Sequence, residues 1–301
     1  MKKEILGTLL ALIAAIISGV AIPVNKIFVV GLDPTVFTAV RAVIIGVIFL
    51  LLSLATRSFS KEQIKKDWKY LVLIAVIGGA FAFFLFFTGL KLTTGGRGAF
   101  LHKTLPLYVA VFAFVFLKEK ISRKQLYALI LMFIGTAVLF SAQINPAELW
   151  MNPQMGDILI VGATILWALE NVIARKVMTN GGTNFLVSFS RMFFGGVILF
   201  GVVGLTGKLD LLLILTIQQW NNIFISTVIL FGYVLFWYAS IKYINVSKAS
   251  TLLLLGPVVS LILGVWWLGE PVPAIQIAGS ALILIGAYFV IGVKSKFATG
   301  V

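Results

Sequence analysis

The residue with the most chemistry in this sequence is a carboxylate set in an apolar run. Glu170 stands in Trp167-Ala168-Leu169-Glu170-Asn171, well inside the apolar stretch 156–177. An ionisable side chain in hydrocarbon costs roughly 2.5–3.5 kcal/mol on insertion scales, so it needs a partner or a task. Glu170 suits cation or ammonium binding, or proton coupling; the structural alternative is an ion pair between helices. His102 and Lys103 are a second such feature, in the stretch 97–117. Lys103 is suited to a carboxylate or a phosphate, or to Glu170 itself; the alternative is snorkelling to the surface. His102 titrates near neutrality and suits proton coupling. Neighbours on a helix point about 100° apart, so His102 and Lys103 address different surroundings. Trp167, Tyr233 and Trp237 offer ring faces to an ammonium by cation–π contact, against ordinary packing or an interfacial belt. Tyr233 and Trp237 are spaced i, i+4 and share a helix face. Asn171, Thr104 and Asn25 add polar groups. Arg41 and Arg191 lie early in their stretches and read as structural, as do Glu119 and Glu270 at helix ends.

The elements that position these side chains are membrane helices. Hydrophobic residues make up 60% of the 301-residue chain and charged residues 11%, against roughly 25% charged in a soluble domain. A crossing helix needs about 20 apolar residues. Spans are expected near 5–27, 34–55, 69–90, 97–117, 122–141, 156–177, 184–206, 219–241, 247–268 and 272–293. The polar stretch 56–69 reads as a loop, and the first apolar run as a span rather than a cleavable signal. Pro106 and Pro257 are expected to bend their helices beside a cavity. Phe81, Phe84 and Phe87 belong to a span that mostly faces lipid. From these boundaries Lys103 lies roughly 9 Å below one face and Glu170 roughly 10 Å from the other, at 1.5 Å per residue. In a core of about 30 Å that leaves a gap suited to a small zwitterion, with Lys103 on its carboxylate and Glu170 on its ammonium.

Loop charges orient the chain. With the N-terminus cytoplasmic, 17 basic residues fall on the inner side and 4 on the outer, with Arg41, Lys103 and Arg191 within spans. That bias puts both termini in the cytoplasm of a multi-pass protein of the cell membrane. It also explains the net charge of +14 without nucleic acid. There is no cysteine and a single histidine, which argues against disulfides and metal sites. No cofactor and no enzyme motif is read from the sequence. No Gly-x-x-x-x-Gly-Lys loop is present to bind ATP, so energy must come from a substrate or ion gradient.

The chain repeats itself. At a shift of 151 residues Lys91 falls on Lys242, Leu101 on Leu252, Pro106 on Pro257, Leu117 on Leu268, Glu119 on Glu270 and Gly135 on Gly286. Near 150, Arg41 meets Arg191, and at 149 Gly7 meets Gly156. Residues 1–145 and 150–296 thus read as two five-helix repeats. Five is odd, so the second repeat is inverted, and inverted repeats are built for alternating access, with the substrate site between them near the midplane. The fold expected is an all-α integral membrane protein of ten transmembrane helices in two inverted five-helix repeats. Glu170 matches Ala21, and His102 and Lys103 match Leu253 and Leu254, so the candidate residues break the repeat.

The duplicated pattern Pro106–x10–Leu117–x–Glu119 and Pro257–x10–Leu268-Gly269-Glu270 resembles the drug/metabolite transporter superfamily, in detail the EamA-type ten-helix transporters. The resemblance covers nearly the whole chain. It implies secondary transport by alternating access, with a cavity lined mainly by spans 1, 3, 4, 6, 8 and 9. Substrates of such proteins include amino acids, other metabolites and toxic compounds, often exported; eukaryotic relatives move nucleotide sugars or sugar phosphates. This chain departs from the pattern at Lys118, where the second repeat keeps Gly269, and at His102-Lys103. The function expected is export of a small polar, amino-acid-like metabolite, with the lipid bilayer as surroundings and a coupled proton as a further partner. The alternative within transport is an organic-anion or phosphorylated-metabolite exchanger, favoured if Lys103, His102 and Arg191 face the cavity while Glu170 is paired away. A membrane receptor or structural subunit is the alternative of another class. Oligomeric state is not legible.

Overall fold

Each long apolar run forms a helix. The computed structural model describes residues 2–28 and 31–295; Lys296, counted above with the inner charges, lies outside them, as do the side chains of Lys26 and Leu268. Among the described residues ten helices are long and apolar enough to cross a membrane: Lys2–Asn25, Pro34–Ala55, Lys61–Lys91, Gly95–Leu117, Arg123–Phe140, Met155–Thr179, Asn184–Leu205, Ile217–Tyr243, Val246–Trp267 and Ala274–Ile291. They are called spans 1 to 10 below.

The largest departure from expectation is the start of span 3. Residues 61–68, read as loop, are helical and run on into the apolar part. The Ser60 hydroxyl accepts from the Gln63 amide and Glu62 sits in the first turn, so a capped helix start outweighs polarity. Charge on a helix that has left the hydrocarbon carries no penalty.

The pairing of spans shows the pseudo-symmetry. Span 1 packs along span 8, and its counterpart span 6 packs against span 3; span 1 also packs on span 9, and span 6 on span 4; spans 2 and 7 pair, as do 5 and 10. Every pairing joins one repeat to the other, so the halves interlock. Small residues permit the close crossings, as expected where lipid supplies no hydrophobic drive. A Cβ on Gly135 would lie 2.8 Å from the Gly279 carbonyl oxygen, and one on Gly195 would lie 2.5 Å from Gly79 Cα.

The spans are interrupted where the site lies. Span 4 stops at His102 and restarts at Leu105, with Pro106 in the new first turn. Span 9 passes through a tight turn over Leu253–Leu255 before Pro257. Span 3 widens into a π-helical stretch over Ile74–Phe81, and span 7 does so over Ser190–Phe194; the two stretches pack on each other. Such widenings free backbone carbonyls and cluster at functional sites. Both helices bent by proline end in a left-handed residue, Lys118 at φ 53° and Gly269 at φ 64°. Glu119, just beyond, accepts from the Val246 and Ser247 amides and the Ser247 hydroxyl. It thereby ties the end of span 4 to the start of span 9.

Candidate substrate-binding site

The breaks in spans 4 and 9 face one another across a cavity of about 20 Å³ lined by Ser18, His102, Lys103, Leu105, Pro106, Tyr233, Leu253 and Leu254. That volume holds about one water molecule. Spans 1 and 4 come from the first repeat, and 8 and 9 from the second, so the cavity lies between the halves.

Lys103 occupies the break itself. It is 93% buried by its 7% exposure, and its amine has no ion pair or hydrogen bond among the described residues. Against it stands Gly256 of span 9, where a Cβ would come within 3.4 Å of Lys103 Nζ. The His102 ring leaves Lys103 and turns to Trp167, with ring centres 5.1 Å apart and edge to face. Its Nδ1 is buried without a hydrogen-bond partner. Phe83 and Phe86 complete the wall around Trp167, while Phe81 and Phe84 of the same span are exposed.

Glu170 lies in a second layer. Its side chain is fully buried; the Tyr238 hydroxyl donates to Oε1 at 2.5 Å and Arg191 Nε lies 3.8 Å from Oε2. Arg191 also donates to the Tyr238 hydroxyl at 3.2 Å. In this arrangement the Glu170 carboxylate is matched by the Arg191 guanidinium, the ion pair between helices that stood in the sequence beside ammonium binding. Room for it comes from Gly78, where a Cβ would lie 2.1 Å from Glu170 Cγ. The Gly78 carbonyl, freed by the π-helical turn, accepts from the Trp167 indole at 3.0 Å. Two requirements thus meet at one glycine.

The remaining candidates divide. Tyr233 lines the cavity and stacks on Trp237 at 6.3 Å between ring centres. Trp237 is buried and donates its indole N–H to Asn171 Oδ1 at 2.8 Å, fastening span 8 to span 6. The Thr104 hydroxyl donates to the Leu101 carbonyl at 2.6 Å, turned along its own helix. Asn25 accepts from Ser226, which in turn accepts from Arg41, outside the cavity. Sequence reasoning did not single out Ser18, Tyr238, Phe83, Phe86 or Gly78. It also left Arg191 without its partner. Charge balance carried that signal, since the sequence sets Glu170 as the one acid well inside an expected span and Arg191 as one of three basic residues within them.

Comparison with known proteins agrees with this architecture. The profile of the EamA-like transporter family matches residues 5–141 and 154–292. Among curated relatives, an uncharacterized transporter of Bacillus subtilis (strain 168) is 29% identical over 284 residues, covering 93% of this chain and 91% of that protein. A probable amino-acid metabolite efflux pump of Salmonella typhimurium (strain LT2) is 28% identical over 220 residues, covering 70% and 71%. A solved crystal structure superposes with a TM-score of 0.73 at 19% identity, covering 94% of this chain and 95% of that one; at that identity it speaks for the fold. With both repeats matched, and with interlocked spans whose helices break between the halves, this chain belongs to the EamA-like transporter family, within the drug/metabolite transporter superfamily.

Proposed function

We propose that this transporter moves a small carboxylate-bearing metabolite of the amino-acid class out across the cytoplasmic membrane by alternating access. The observation that carries the proposal is Lys103: a buried side chain at a helix break between the two halves, its amine at the cavity without a counter-ion among the described residues. A buried charge without a counter-ion is costly, and a substrate carboxylate supplies one. Tyr233, stacked on Trp237, offers its face to the substrate's ammonium. The unpartnered His102 Nδ1 is the group placed to donate to the carboxylate or to carry a coupled proton. A cavity of about 20 Å³ is too small for any metabolite, so entry requires the halves to part at one face. The relative named as an amino-acid metabolite efflux pump supports the substrate class and the direction. The basic excess on one side supports cytoplasmic termini.

The second reading is exchange of organic anions or phosphorylated metabolites. It is favoured by the matching of Glu170 to Arg191, which leaves Lys103 as the net charge. Flux in proteoliposomes decides between the two across a panel of amino acids and organic anions. Saturable flux of amino acids supports the first reading, and flux confined to organic anions or phosphorylated metabolites supports the second. Absence of saturable flux across the whole panel contradicts both.

A further inference from the structure

A second cavity lies at the opposite end of the molecule from the outer loops, among the helix ends that carry the basic excess. It is a cleft of about 690 Å³ between the start of span 1 and the ends of spans 8 and 10, lined by Lys3, Lys242 and Lys294. The amines of these three lysines enter no ion pair or hydrogen bond among the described residues. The one carboxylate in the wall, Glu4, is already occupied. It accepts from Lys248 Nζ at 2.8 Å, from the Ser295 amide at 3.1 Å and from the Ser295 hydroxyl at 3.0 Å. Three positive charges are thus left facing one cleft without compensation.

The fold does not require them. The repeat register places Lys91 opposite Lys242, but Asn152 opposite Lys3 and Gln143 opposite Lys294. The equivalent rim on the other face therefore holds one lysine where this one holds three. Its lysine also has a carboxylate in reach, with Lys91 Nζ 4.0 Å from Asp33. Below the amines the walls turn apolar. Ile5 and Ile291 line the cleft and are 54% and 45% exposed, and Leu9, one turn further down span 1, is 52% exposed. A free anion would use the amines alone. A molecule with an anionic head and hydrocarbon tails uses both parts of the surface.

We infer that this cleft is a binding site for the phosphate headgroup of an anionic phospholipid of the lysine-rich leaflet, held by Lys3, Lys242 and Lys294 with its chains along spans 1 and 10. Basic clefts between membrane helices at that depth recognise such headgroups by charge. The bound lipid rests beside the Lys248–Glu4 pair and so joins the ends of spans 1, 8 and 10 at the face where the halves meet.

The test is lipid retention by the purified full chain in neutral detergent, read by native mass spectrometry together with the melting temperature. The probes are phosphatidylglycerol, phosphatidylcholine and inorganic phosphate. Phosphatidylglycerol is expected to be retained and to raise the melting temperature, since a ligand of the folded state stabilises it by mass action. Phosphatidylcholine and phosphate are expected to do neither. The combined change Lys3→Gln, Lys242→Gln and Lys294→Gln should remove the phosphatidylglycerol-specific shift, and the corresponding all-arginine change should keep it. A control with Lys61→Gln, Lys65→Gln and Lys66→Gln, on the same face beside span 3, should retain the shift. Equal shifts from both lipids, or a glutamine variant that still retains phosphatidylglycerol, overturn the proposal. A shift produced by inorganic phosphate alone overturns the lipid assignment.

Discussion

Arg41 and Arg191 stand at matching positions of the two repeats, yet their surroundings differ. Arg191 lies within 3.8 Å of the buried Glu170 and donates to Tyr238. Arg41 has no carboxylate partner among the described residues: it donates to the Phe37 carbonyl and the Ser226 hydroxyl, and its guanidinium lies 3.8 Å from the centre of the Phe37 ring. The duplicated position shows what the repeat needs, a cation at that depth of spans 2 and 7. The acid appears once. The symmetric residue serves the scaffold in both repeats, and the unsymmetric acid gives one of them a buried ion pair.

The sharpest way to break that comparison is to remove the two arginines separately. Arg191→Met strands Glu170 in a closed apolar layer and should cost about 3–5 kcal/mol, the penalty for an orphaned buried charge. Arg41→Met strands no charge and should fall within about 1 kcal/mol of the parent. Unfolding in mixed micelles measures both; equal losses would show that the acid adds nothing to the second site.

The glycines allow a finer division. Gly78→Ala would drive a Cβ into Glu170, 2.1 Å from its Cγ, and should cost about 1–3 kcal/mol as an overpacked core does. Gly162 meets nothing closer than 3.6 Å, the Leu85 side chain. Gly162→Ala should be neutral or gain a few tenths of a kcal/mol, roughly as helix propensity dictates. A thermal melt of both variants tests the difference.

The helix caps repeat the theme. Asp33 caps span 2 through the Thr35 and Val36 amides and pairs with Lys208 at 2.7 Å. Its counterpart Thr183 caps span 7 through Leu186 alone. Burial pushes the Asp33 carboxyl up, but Lys208 and the two amides outweigh it and hold the group below the usual carboxylate range. A depressed carboxyl contributes stability at pH values above its unfolded pKa and loses it as pH falls through the folded one. Asp33→Ala should therefore cost about 1–2 kcal/mol near neutrality and progressively less in acid, as pH falls through the depressed folded pKa. Thr183→Ala should cost about 1 kcal/mol in both conditions. Melting curves at neutral and acid pH distinguish them.

The smallest effect concerns the left-handed helix ends. Lys118 at φ 53° holds a conformation that Gly269 adopts freely at φ 64°. Lys118→Gly should stabilise by up to about 1 kcal/mol, and Gly269→Ala should destabilise by about the same.

The sequence made much of this legible. Hydropathy placed the spans to within a few residues at most ends, because a bilayer fixes helix length. Span 3 escaped, since a capped polar helix on the aqueous side follows no hydropathy rule. The repeat carried over to the interlocked pairing because Pro106 and Pro257, and Gly135 and Gly286, sit at equal offsets. The site was half legible. Glu170, His102, Lys103 and Trp167 stood out in the sequence; the structure sets His102 and Lys103 on one cavity and His102 against Trp167, while Glu170 meets Arg191 and Tyr238. What remained hidden depended on rotation about helix axes: the turning of Thr104 to Leu101, the closure of Trp237 on Asn171, and the emergence of Phe83 and Phe86 beside Trp167 while Phe81 and Phe84 face outward. The Gly78 requirement was hidden for another reason, since a glycine in an apolar helix announces nothing until its neighbour is known.

The central claim is that Lys103 is the substrate's counter-charge. It is tested most directly by saturable flux of amino acids and related carboxylates in proteoliposomes containing the parent or Lys103→Met, with folding checked by the melting temperature. Losing a hydrogen bond to a charged group costs about 1.5–3 kcal/mol, roughly ten- to a hundredfold in affinity. The account predicts at least that loss of uptake affinity with an unchanged or raised melting temperature, because an unpaired buried charge is removed. A Lys103→Met protein that folds and transports the same substrates with parental affinity would contradict it.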